Sequence, residues 1–176
     1  ELQTAMRCLR CGVPIPLAQD RCWCDPCRRA WAIEYLRDDL VNRGWVTQAA
    51  LADTFAASNP EFENADEYSK AQKWRPRQGQ CVYISGDVGA GKTYLARAMV
   101  NLQIDRGRSA AIINGRTFCE LLNHGFQSRD VAWLYRPQVV LIDDIDKGLW
   151  QDKHLVALWD LLDQRRSLGG MPTIIT

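Results

Sequence analysis

The stretch Gly86-Asp87-Val88-Gly89-Ala90-Gly91-Lys92-Thr93 constrains this chain more than any other. It follows the apolar run Val82-Tyr83-Ile84, which reads as a buried strand. It precedes residues Tyr94 to Arg106, where Leu95, Met99 and Leu102 recur at helical spacing. Strand, glycine loop and helix is the setting a phosphate-binding loop requires. The glycines let the main chain curl so that successive N–H groups face inward, and the start of the helix adds partial positive charge. Lys92 is then placed to reach the β- and γ-phosphates of a nucleotide, and the Thr93 hydroxyl to ligate Mg²⁺.

About fifty residues downstream, Val139-Val140-Leu141-Ile142 leads into Asp143-Asp144. Four consecutive apolar residues predict a central parallel strand buried on both faces, with the two carboxylates where it emerges. That edge of such a sheet faces the phosphates. Asp143 is therefore the candidate to hold Mg²⁺, and Asp144 the candidate to orient and polarise an attacking water. Asp146 receives no role.

Five of the seven cysteines fall between Cys8 and Cys27. Beside a nucleotide site, a reducing compartment and free thiols are expected rather than a disulfide framework. Cys8-x-x-Cys11 and Cys24-x-x-Cys27 are separated by twelve residues, and Gly12 and Pro26 suit the turns. The two pairs close a four-sulfur site for a structural Zn²⁺. Cys22 in place of Cys24 is the alternative ligand, with the poorer turn. Arg7, Arg10, Arg21, Arg28 and Arg29 surround the cluster and Trp23 sits within it. The mixture suits phosphate and base contacts and a protein-docking rim equally. Cys81 and Cys119 read as core residues.

The chain has 176 residues, 47% of them apolar, and a net charge of +1, enough for one good core with a small appendage. Near-neutrality offers no whole-chain case for binding nucleic acid. Without a membrane-length apolar run or a signal-peptide pattern, the expected location is the cytoplasm. A helix is predicted from Pro26 to Arg43 (Ile33, Leu36, Leu40), and Thr47 is placed to cap a short second one carrying Leu51 and Phe55. Asn59 to Gln80 is a polar connector with a helix over Asn64 to Trp74, whose Tyr68 and Trp74 suit either an adenine or plain packing. A strand over Ser109 to Ile113, a helix over Thr117 to Asn123 and a looser stretch from Gly125 to Pro137 follow. Asp152 to Leu168 predicts an amphipathic helix with Leu155, Leu158, Trp159 and Leu162 inward, before a strand at Thr173-Ile174-Ile175-Thr176. His124 and His154 read as surface or packing residues.

Gly86 to Thr93 and Val139 to Asp144, taken with Leu161-Leu162-Asp163-Gln164-Arg165-Arg166 and Met171-Pro172-Thr173-Ile174-Ile175-Thr176, resemble the Walker A, Walker B and sensor-strand regions of AAA+ ATPases of the DnaC/DnaI helicase-loader and IstB family. The likeness covers about the second two-thirds of the chain. Asp143-Asp144, in place of Asp-Glu, looks like the initiator and loader branch, and Arg165 matches a family arginine. The resemblance implies an α/β P-loop fold with a three-layer parallel sheet over residues 81–176, a helical linker over 46–80 and a zinc module over 1–45. It also implies ATP with Mg²⁺, a replicative helicase and single-stranded DNA as partners, and subunits that assemble around ATP. A zinc module before the ATPase resembles DnaI-like loaders; an IstB-like transposition helper and a non-catalytic zinc adapter are the alternatives. The family's sensor asparagine, last strand, lid and arginine finger would lie beyond Thr176. The expectation is a fragment that binds ATP·Mg²⁺ weakly and hydrolyses it slowly or not at all.

Overall fold

The computed structural model describes residues 6–15, 23–58, 65–77, 80–123, 133–147 and 150–176. A small hairpin, β1 (Met6–Arg7) with β2 (Pro14–Ile15), precedes α1 (Asp25–Asn42). Pro26 sits in the first turn of α1, where its missing N–H costs nothing. The helix ends at Arg43, followed by Gly44 at φ 69°. Next come α2 (Ala65–Lys73), β3 (Cys81–Tyr83), α3 (Lys92–Ile104), β4 (Ala110–Asn114), α4 (Gly115–Asn123), β5 (Val139–Asp143), α5 (Asp152–Ser167) and β6 (Thr173–Ile175).

Strands β3 to β6 form one parallel sheet in the order β3-β6-β5-β4. All five residues of β5 are buried, because side chains alternate between two covered faces. Val139 and Leu141 pack with Leu95, Met99, Val100 and Ile104 of α3, in a cluster that also takes in Leu40 of α1 and Ala71 of α2. Val140 and Ile142 pack on the opposite face with Phe118 and Leu122 of α4 and with Ala157 and Leu161 of α5. The result is the expected three-layer α/β arrangement. Arg37 also pairs with Asp105 at 2.6 Å, tying α1 to the end of α3. No described helix is long and apolar enough to cross a membrane.

Four expectations change. Strand β3 is an edge strand that pairs only with β6 among the described residues, so Tyr83 is 67% exposed rather than buried. Cys81 is exposed for the same reason, whereas Cys119 is in the core. The helix expected after Thr47 is a single 3₁₀ turn at Ala50–Ala52, with the Ala50 N–H donating to Thr47 Oγ1 at 3.2 Å. The phase of α5 is also different: its buried residues are His154, Ala157, Leu161 and Arg165, while Leu155 and Trp159 are exposed.

That last shift has a specific cause. His154 accepts from the Gln151 N–H through Nδ1 at 3.1 Å and meets Asn123 Oδ1 through Nε2 at 3.0 Å, so an apparently polar residue is satisfied inside. His124 and most of the stretch from Gly125 to Pro137 lie outside the described residues; Trp133–Tyr135 forms a 3₁₀ turn with Leu134 buried.

Candidate functional site

The loop between β3 and α3 has the backbone its glycines permit. Gly89 and Gly91 adopt φ 86° and 78°, a region costly for any residue with a Cβ. Gly91 is the N-cap of α3 and supplies no side-chain cap, so the first N–H groups of the helix are left for another acceptor. Lys92 folds back over this cradle, with Nζ donating to the carbonyls of Gly86 at 2.7 Å and Asp87 at 2.8 Å.

Asp143 stands across from the loop at the end of β5, nearly fully buried. Its Oδ1 accepts from Thr93 Oγ1 at 2.9 Å, joining residues fifty positions apart. The same oxygen accepts from Thr176 Oγ1 at 2.7 Å, and Oδ2 accepts from the Arg97 guanidinium at 3.2 Å. Hydroxyl and carboxylate oxygens held together at a loop that offers N–H groups to phosphate form a donor set suited to Mg²⁺ with a triphosphate.

Asp144 takes another direction. It adopts φ 54°, and its carboxylate pairs with Lys147 at 2.8 Å. Its N–H donates to the Thr176 hydroxyl at 2.9 Å, so one threonine touches both acids. The backbone of Asp144 is pressed against Gly115, where an added Cβ would lie 2.7 Å from the Asp144 carbonyl oxygen. Asp146 is exposed.

Arg97 and Thr176 are the two contacts that motif reading misses. Arg97 also reaches Asp53 at 3.3 Å, linking the segment before the sheet to Asp143. Neighbours on the same face of α3 secure that segment: Tyr94 donates to the Thr54 carbonyl at 2.7 Å, and Asn101 to those of Ala50 and Asp53 at 2.8 and 2.6 Å. Arg97 follows Thr93 by one helical turn, which is the signal that marks it. Thr176 follows Ile175, whose register partner is Ile142, and so falls beside Asp143.

Of the two aromatics suited to an adenine, Tyr68 stacks on Tyr94 with centroids 6.4 Å apart, and its hydroxyl would lie 3.5 Å from a Cβ at Gly91. Trp74 instead donates to Gln80 at 3.1 Å and packs against the core.

The second cluster lies between the β1–β2 hairpin and the start of α1. The sulfurs of Cys8, Cys11, Cys24 and Cys27 all lie within 4.8 Å of one another, with Cys11 and Cys24 3.6 Å apart. Four thiolates at about 2.3 Å from a tetrahedral zinc stand about 3.8 Å apart, so the cluster fits that ion. The first pair is set by a turn in which the Cys8 N–H donates to Val13 and the Gly12 N–H to Cys8, both at 2.9 Å. The second pair straddles the start of α1, with Cys24 as N-cap. Main-chain N–H groups, that of Cys24 foremost, bring the Cys8 thiol down to about 6. The Cys11 and Cys24 sulfurs push Cys27 up to about 12. Cys22 lies outside the described residues; the residue in the cluster is Cys24.

No family model matches the chain. An ATP-binding protein of a Mycobacterium tuberculosis insertion sequence is 26% identical over 133 residues, covering 73% of this chain and 53% of the relative. The chain thus spans about half the length of that protein. Among solved structures, DnaI superposes with a TM-score of 0.61 at 18% identity, over 75% of each chain. The DnaC helicase loader gives 0.57 at 18% identity, over 74% of this chain and 78% of that one. AMPPCP-bound DnaA from Aquifex aeolicus gives 0.55 at 17% identity, over 70% of this chain and 41% of that one. These likenesses identify the fold as that of the P-loop AAA+ proteins.

Proposed function

From the premise that the chain carries the P-loop AAA+ fold, we propose that it binds ATP with Mg²⁺ and uses the nucleotide state to control the loading of a ring helicase onto single-stranded DNA. The observation that carries the nucleotide part of this reading is the 2.9 Å contact between Thr93 and Asp143, which joins the two motifs where a triphosphate and its metal would lie, and the fold shared with DnaI and the DnaC helicase loader supports the helicase part. The main chain from Gly86 to Thr93, including Asp87, Val88, Gly89, Ala90 and Gly91, would hold the phosphates. Lys92 would exchange the carbonyls of Gly86 and Asp87 for phosphate oxygens, and Thr93 and Asp143 would hold the metal. Mg²⁺-ATP supplies the phosphoanhydride whose cleavage distinguishes the two states of the switch. Asp144 would act as base and water-positioning residue once its carboxylate leaves Lys147. Arg97 would balance the second oxygen of Asp143 and carry its position to Asp53.

A second reading, a helper ATPase in transposition, is favoured by the insertion-sequence relative. A pull-down separates the two. The immobilised chain is expected to retain a purified replicative helicase in an ATP-dependent manner, and Lys92→Ala to remove the ATP dependence. Retention of a transposase instead of the helicase would favour the second reading. Helicase retention indifferent to both nucleotide and Lys92→Ala would leave an adapter without a switch.

A further inference from the structure

The start of α1 and the residue before its N-cap carry a partly exposed aromatic ladder. Trp23 meets Trp31 edge-on at 5.6 Å, and Trp31 stacks on Tyr35 at 5.6 Å with 26° between the rings. Trp31 is 48% and Tyr35 63% exposed. Beside Tyr35, α1 and the turn after α3 line an open hollow of about 530 Å³, with Arg29, Arg106 and Asp39 in its lining.

Behind the hollow, arginines from separate parts of the chain converge. Arg106 and Arg75 donate to the same oxygen, the Trp74 carbonyl, at 3.1 and 3.3 Å. Burial, then the proximity of Arg75 and Arg108, holds Arg106 below the ordinary guanidinium range. Neighbouring carboxylates are committed elsewhere: Asp105 to Arg37 at 2.6 Å and Asp39 to Arg43 at 2.7 Å. Among the described residues no carboxylate pairs with Arg29, Arg75, Arg106 or Arg108. The carbonyls at the end of α2 account for one cation there, not for the group.

We propose that single-stranded nucleic acid binds this face, with bases lying on Tyr35 and Trp31 and phosphates entering the hollow between Arg29 and Arg106. Flat aromatic surfaces beside guanidinium groups that have no carboxylate partner among the described residues match a polymer that alternates planar bases with anions. An acidic protein segment would satisfy the arginines but leave the rings without planar partners. The inference rests on the reading above that DNA is a partner, and it assigns that partner a surface. Arg106 lies about 20 Å from Lys92 along α3, so this surface can be altered apart from the nucleotide loop.

The test is fluorescence anisotropy of a labelled oligothymidylate of about twenty nucleotides, titrated with the full chain at several salt concentrations. The double variant Arg29→Glu/Arg106→Glu is expected to weaken binding more than about tenfold and to lower the salt slope by about 1.4, for two lost single-strand phosphate contacts. Tyr35→Ala is expected to weaken binding about fivefold or more with the slope unchanged, and Arg106→Lys to retain most of the affinity. Wild-type affinity in both the double variant and Tyr35→Ala would overturn the assignment while leaving DNA as a partner. So would variants that keep DNA binding and instead lose a purified ring helicase, since the face would then be a protein dock. A wild-type chain that fails to bind the oligonucleotide would overturn the inference together with the DNA part of the functional reading.

Discussion

Stripping zinc from the chain with a strong chelator is expected to unfold the amino-terminal module and leave the sheet standing. Each strand of the β1–β2 hairpin is only two residues long. The buried side chains described between residues 7 and 39 are Cys8 and Ile15, and α1 reaches the main core only near its end, through the half-buried Leu36 and the buried Leu40. Too little apolar surface is covered to offset the entropy of ordering this segment. Four thiolates on one zinc would supply what is missing, on the order of 10–16 kcal/mol in small zinc modules at neutral pH. Hydrogen exchange should therefore show residues 7–15 and 25–33 losing protection on chelation while Val139 to Ile142 keep theirs. Elemental analysis should give one zinc per chain. Cys27→Ser is expected to reproduce the chelated pattern. Unchanged protection after complete removal of the metal would contradict a structural zinc.

Arg165→Met is expected to lower stability by about 3 kcal/mol. The side chain is fully buried, yet among the described residues no carboxylate pairs with it. Its guanidinium donates instead to the carbonyls of Leu134 at 2.8 Å, Pro137 at 2.9 Å and Pro172 at 3.1 Å, and to Thr173 Oγ1 at 3.1 Å. Burial brings its pKa down to about 10, so it remains charged at neutral pH. Methionine would fill much of the space but leave these acceptors without a donor, at about 1–3 kcal/mol for each group left unsatisfied. Relief of the buried charge offsets part of that loss. The predicted fall in Tm is about 6–12 °C for a domain of this size. Arg165→Lys should recover part of it, since an ammonium can still donate to some of the carbonyls. A Tm within about 2 °C of wild type for Arg165→Met would show that the carbonyls find other donors.

What could be read from the sequence was what spacing encodes. Gly86 to Thr93 and Cys8-x-x-Cys11 with Cys24-x-x-Cys27 are local patterns whose chemistry fixes the geometry, and four apolar residues before Asp143 mark a strand covered on both faces. Contacts made only by folding were not visible. Arg97 and Thr176 reach Asp143 from a helix and from the end of a neighbouring strand; no local motif names Arg97, and the sensor-strand stretch contains Thr176 without giving its contact. The inward face of α5 differs from the one hydropathy predicts because hydropathy counts His154 and Arg165 as solvent residues, whereas hydrogen bonds to Asn123, Leu134 and Pro137 satisfy them inside. Cys81 and Tyr83 read as core residues but lie exposed, because an apolar run does not reveal whether its strand lies at the centre or the edge of a sheet.

The central claim is that a triphosphate and its magnesium ion are held between the loop at Lys92 and the acid at Asp143. Calorimetric titration of the chain with ATP, with and without Mg²⁺, tests it most directly. The account predicts that Mg²⁺ tightens ATP binding by about tenfold or more, that Asp143→Asn removes most of this gain, and that Lys92→Ala removes measurable binding. No ATP binding by the wild-type chain, or binding that is the same without Mg²⁺ and in both variants, would contradict it.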